Sequence, residues 1–178
     1  MRTRVTAAVL SGMLVLGLAG CTQPEPAEPT PTTAFSSDEE AFAAAEETYR
    51  AYVDALNQVD LSDPETFEAV YGWTTGEANA SDRKTLSGFH ADGVTLRGSS
   101  VITLLEPIDA ASGSEEVTLA ACVDVATVDL LDAEGRSIVD SGRPDVQRTT
   151  ITLSADSSAP VGFLISDIAA REDGPRCN

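Results

Sequence analysis

The chain has 178 residues, with 29 acidic and 11 basic side chains and a formal charge of −18. That length points to one domain, at most two small ones. The charge argues against nucleic acid as a partner, because phosphate binding needs a positive face that displaces counterions. An apolar fraction of 42% with thirteen glycines fits a globular domain rather than a disordered chain.

The first twenty residues read as a secretory signal. Arg2 and Arg4 form a positive start, Val5 to Ala19 an apolar core, and Leu18-Ala19-Gly20 a small-residue ending before Cys21. Leu18-Ala19-Gly20-Cys21 resembles the lipobox of bacterial lipoproteins. The resemblance implies cleavage before Cys21 and a diacylglyceryl group on its thiol. Cleavage would also remove Arg2 and Arg4, leaving nine basic residues against 29 acidic ones, a formal −20. Two acyl chains hold a protein stably where one is marginal, at roughly 0.8 kcal/mol per buried methylene. The anchor would place the protein on the extracytoplasmic face of the cell membrane. After position 20 no apolar run is long enough to span a bilayer.

Residues 21–37 read as the lipidated cysteine and a tether. Pro24, Pro26, Pro29 and Pro31 favour extended polyproline II, at roughly 3 Å per residue. This predicts a mobile spacer from residue 22 to about 36. A Pro-rich docking ligand is the competing reading.

Residues 38–178 read as one domain. Ser37 with Glu40 fits a capping box, and Phe42, Ala45, Tyr49, Tyr52 or Val53, and Leu56 line one face of a helix running to about Val59. Pro64 opens a short second helix carrying Phe67, Val70 and Tyr71. A third runs from about Thr75, with Leu86 and Phe89 inward and Gly93 closing it. The period then changes to two. Val94 to Ile108 reads as one long strand with a bulge at Gly98, and Val117 to Leu131 as a second. A hairpin turn at Asp132–Gly135 leads into a short return strand through Ile138 and Val139. Val146 to Ala155 and Val161 to Arg171 are the last strands. Three helices before four or five antiparallel strands make an α+β fold, with helices on one face of a curved sheet.

This order, the long strands after the helices and the ending Phe163-Leu164-Ile165-Ser166-Asp167-Ile168 resemble the NTF2-like family over roughly residues 38–176. The resemblance implies a cone, with any ligand cavity between the concave sheet face and the helices. A cystatin-like sheet wrapped on one helix is the alternative.

Cys122 and Cys177 remain once Cys21 is lipidated. In an exported chain two leftover thiols are expected to close, pinning the C-terminus. No His or second Cys sits at metal-ligand spacing, and no phosphate loop, nucleophile elbow or calcium loop is present, so neither metal nor cofactor is expected. His90, the one histidine, suits the last turn of the third helix. Asp124 and Asp167 fall within apolar strands. In NTF2-like enzymes such carboxylates act as general bases inside the cone; strict alternation turns both to solvent. Trp73 is either a core plug or a stacking surface at the cavity mouth.

The sequence therefore favours a lipid-anchored, non-enzymatic module that binds an envelope protein or a small ligand. The rivals are an isomerase or hydratase using a buried carboxylate, and a structural accessory subunit of an envelope complex. Replacing Cys21 with Ala is expected to move the protein out of the membrane fraction of lysed cells. Unchanged membrane retention would refute lipidation.

Overall fold

The computed structural model describes residues 35–110 and 115–177. The expected signal, lipobox and most of the tether lie outside them. Helix α1 spans Asp38–Leu56 and is capped by Ser37, whose hydroxyl accepts from the Glu40 amide at 3.2 Å. The expected capping box is shifted by one residue. The Glu40 carboxylate accepts from the amide and hydroxyl of Ser36, not from Ser37. A 3₁₀ turn, Pro64–Thr66, capped by Asp63, leads into α2, Phe67–Tyr71. Helix α3 spans Gly76–Ala91 and ends at Gly93.

Six strands follow: β1 (Thr95–Arg97), β2 (Val101–Ala110), β3 (Glu116–Asp124), β4 (Asp129–Leu131), β5 (Val146–Ala155) and β6 (Phe163–Ala170). Four form an antiparallel sheet in the order β2-β3-β5-β6, and β1 pairs with β4 in a separate ribbon. All three helices precede the sheet and pack on it or on one another. That sets the fold apart from the cystatin-like alternative with its single helix.

Two expected strands are each broken in two. Gly98 is a corner between β1 and β2, not a bulge within one strand. Its φ is +77°, and a Cβ there would lie 1.9 Å from the Thr127 carbonyl oxygen, so only glycine fits. Residues 125–128 turn the chain between β3 and β4, where the Val128 amide donates to the Val125 carbonyl at 2.9 Å. Breaking both strands at one level lets a second ribbon leave the main sheet. The expected return strand is only a bridge between Leu131 and Ser137. The loop after it is held instead by Arg143, which donates to the carbonyls of Val125 and Val128.

The core lies between the helices and one sheet face. Val117, Leu119, Ile151, Leu153, Phe163 and Ile165 are fully buried there, with Ala41, Ala45 and Val70 from the helices. The other face of β3 is buried too, at Ala120 and Cys122. Cys122 is bonded to Cys177, with Cα atoms 5.6 Å apart. A closed loop of 55 residues removes about 4 kcal/mol of unfolded-state entropy in the chain-entropy model. Buried Arg171 completes the clasp. It donates to the carbonyls of Thr149, Asp173 and Pro175, and its Nη2 lies 3.5 Å from Cys122 Sγ. β2 is an edge strand, with Pro107 inside it and register breaks at Ile102/Leu104 and Pro107/Asp109.

The spacer reading fails at Phe35. Its ring stacks on Phe163, with centroids 4.7 Å apart and planes 6° from parallel. Gly162, at φ +90°, makes the seat: a Cβ there would lie 2.8 Å from Phe35 Cζ. A large apolar ring finds more stabilisation on the core than in water, so the packed domain begins before Ser36. Phe35→Ala is expected to cost about 2 kcal/mol, below the fully buried range because the ring is half-exposed. Deleting residues 22–33 is expected to cost nothing measurable. Chemical denaturation of both variants checks the contrast, and an equal loss in both would refute it.

Candidate functional site

The helix-facing side of the main sheet is packed with aliphatic side chains, Val117, Leu119, Ile151, Leu153 and Ile165 being fully buried. An apolar cleft of about 270 Å³ sits between α1, α3 and the β1–β4 ribbon. Tyr52 and Leu56 come from α1, and Val59 and Leu61 from the turn after it. Asp82, Thr85, Leu86 and Phe89 come from α3, and Leu96, Val128 and Leu130 from the ribbon side. The Gly98 corner supplies the rim with Ser99 and Ser100. Asn57, just past the end of α1, ties it down: its side-chain amide donates to the Ser100 carbonyl at 2.9 Å and accepts from the Ser100 amide at 2.8 Å.

One carboxyl group stands in this apolar lining. The Tyr52 hydroxyl donates to Asp82 Oδ1 at 3.1 Å, while Asp82 Oδ2 is buried with no hydrogen-bond partner. Burial pushes the Asp82 carboxyl above its ordinary range, against the Tyr52 bond, which pulls it down. Burial first, and then the neighbouring Asp82 charge, push the Tyr52 hydroxyl up. Tyr52 therefore stays protonated and remains the donor of the pair. Asp82 lies also on a second, polar cleft, with Glu77, Ser81 and Asp167. Tyr52 and Asp82 line both clefts.

The residues singled out from sequence do not assemble into this cleft. Asp124 ends β3 and accepts from the Ala126 amide at 2.9 Å, so it shapes the turn rather than a cavity. Asp167 borders the polar cleft, not the apolar one. A bulge sets it opposite Thr152 and puts Ile168 opposite Ile151. Strict alternation does not survive Ser166, the extra residue there. Trp73 is half-buried against the core and does not line the apolar cleft. Its carbonyl accepts from the Ile165 amide at 2.9 Å, bringing the start of α3 against β6. His90 Nδ1 donates to the Leu61 carbonyl at 2.8 Å, and its ring meets Phe67 edge-on. That bond fixes the end of α3 and leaves no acceptor at Nδ1.

The residue missed was Asp82. Its signal is present: Ala78, Asp82 and Leu86 recur at four-residue spacing, which puts a carboxylate on the inward stripe of α3. Among the described residues no group of three or more potential ligands could hold a metal ion. Asp82→Asn is expected to raise the melting temperature at neutral pH. The folded pKa lies above the unfolded value of 3.8, so ionisation opposes folding above the folded pKa and costs nothing below 3.8. The gain should therefore vanish near pH 3. Thermal melts of both proteins at the two pH values check this, and a gain at pH 3 as large as at pH 7 would contradict it.

No family model matches the chain, and no curated protein sequence matches it. Among solved structures, the intermembrane-space region of the chloroplast protein ARC6 superposes with a TM-score of 0.50 at 11% identity, covering 72% of this chain and 94% of that one. A protein of Novosphingobium aromaticivorans, named as a candidate aromatic ring hydroxylase, superposes with a TM-score of 0.50 at 12% identity, covering 76% of this chain and 96% of that one. Among the described residues no helix is long and apolar enough to cross a membrane. At these identities the likeness concerns architecture alone, and that architecture is the NTF2-like arrangement of helices on a curved antiparallel sheet.

Proposed function

We propose that the protein is a non-catalytic, extracytoplasmic binding module, held at the membrane through lipidated Cys21, that takes a small, largely apolar ligand. The observation that carries this reading is the apolar cleft with one polar anchor, Tyr52–Asp82, at its wall. Ligand sites commonly combine an apolar lining with a few polar groups that fix orientation. A volume of about 270 Å³ suits a body of one or two rings. The bridge between Cys122 and Cys177 supports an oxidising compartment. Likeness of fold to a candidate hydroxylase and to an intermembrane-space region favours neither catalysis nor binding.

The second reading is an isomerase or hydratase with Asp82, rather than Asp124 or Asp167, as its base. Burial of the Asp82 carboxyl favours it. Catalysis also needs a donor for the charge that develops on the substrate. The Tyr52 hydroxyl already serves Asp82, and Asn57 is engaged with the Ser100 backbone. Binding therefore fits the site better than turnover.

Calorimetric titration with 1-naphthylmethanol tests the reading. One saturable site is expected, and Thr85→Trp, which fills the cleft from its exposed rim, should weaken it at least about tenfold. Binding that never saturates, or that ignores the filler, would rule this site out. Conversion of a small apolar ketone that Asp82→Asn abolishes would establish the enzyme instead.

A further inference from the structure

We propose that the polar head recognised in this cleft is a cation, so that the preferred ligand is a hydrophobic amine. This rests on the ligand-binding reading above and gives it a chemical class.

The argument starts from an unmet demand. Asp82 is a half-buried carboxylate whose Oδ1 has one neutral donor and whose Oδ2, fully shielded from solvent, has none. Among the described residues it also has no counter-charge. The ion pairs among the described residues join Arg50 to Glu46 and Arg136 to Asp132 and Glu134, and none includes Asp82. No lysine, arginine or histidine lines the apolar cleft or the polar cleft beyond Asp82. Buried carboxylates are ordinarily paired, because the charge loses its hydration and nothing else replaces it. A ligand ammonium in the cleft would supply the missing opposite charge and a further donor to Oδ1.

The surroundings agree in sign. Glu77 and Asp167 lie behind Asp82 in the polar cleft and add negative potential at that end of the apolar one. The whole chain is strongly negative, which draws cations toward it and slows anions. A neutral hydroxyl satisfies the hydrogen bond but not the charge. A ligand carboxylate would be set against Asp82, and that repulsion excludes it. The apolar lining supplies the remaining selectivity, since a small hydrated cation gains nothing from Leu86, Phe89 or Leu130.

Three probes with one apolar body separate the possibilities: 1-naphthylmethylamine, 1-naphthylmethanol and 1-naphthoate. Each is titrated into the purified protein by calorimetry at neutral pH and fixed salt. The amine is expected to bind about tenfold more tightly than the alcohol, with the acid weakest. Asp82→Asn, shown to be folded by its thermal melt, should abolish the amine's advantage. Equal affinities for amine and alcohol would overturn the cation assignment while leaving the binding site standing. So would an advantage that survives in Asp82→Asn, since it would then come from the net charge of the chain. If neither the amine nor the alcohol binds, the ligand-binding reading falls and takes this inference with it.

Discussion

Burial of both faces of β3 is the constraint on which the rest of the domain depends. Val117, Leu119, Ala121 and Val123 face the helices, while Ala120 and Cys122 are covered on the other side. A strand in that position needs cover twice, yet all three helices come before the sheet in the chain. Over Cys122 that second cover comes from the C-terminal tail, locked down by Cys177 and threaded around the Arg171 guanidinium. Among the described residues no carboxylate pairs with this buried arginine; its donors are taken up by three carbonyls, and it lies beside the disulfide sulfurs. The bridge thus does more than restrict the unfolded chain. It replaces a missing layer of structure.

The same filling of the core decides where a ligand can go. Aliphatic residues from β3, β5 and β6 are fully buried between the main sheet and the helices, and the apolar cleft lies beside them. The apolar cleft opens where the strands break and the β1–β4 ribbon leaves the sheet. Two local features create that break: the glycine at 98, against which the Thr127 carbonyl packs, and the turn that Asp124 initiates. A position read as a candidate catalytic carboxylate is therefore part of the hinge that opens the cleft.

Much of the fold was legible because local rules and tertiary packing agree. Ser37 at the start of α1, Pro64 in the first turn after Asp63, Gly93 after α3 and the paired cysteines each carry a physical reason that acts within a few residues or by elimination. What was not legible depended on partners distant in sequence. A glycine at φ +77° and a bulge glycine look alike until the Thr127 carbonyl is seen against one of them. Alternation runs along β6 only up to Ser166, where the extra residue resets the register before Asp167. Asp82 escaped because a helix face is read from its apolar members, and a lone carboxylate among them looks like a gap in the stripe. Only the position of Tyr52, thirty residues earlier, shows that the gap is occupied.

The edge strand β2 has a bearing on how many copies can crowd together. An open strand of ten residues, with Val101 and Ile108 more than half exposed, offers a template on which a second chain could zip. Pro107 removes one donor from that template, and the two breaks in register twist it, so a matching strand cannot run its length. Held on a membrane through Cys21, as proposed, copies would meet edge to edge far more often than in free solution. Under such confinement the proline and the two irregularities would act as spacers between neighbours, and the density a surface could carry without aggregation would depend on them.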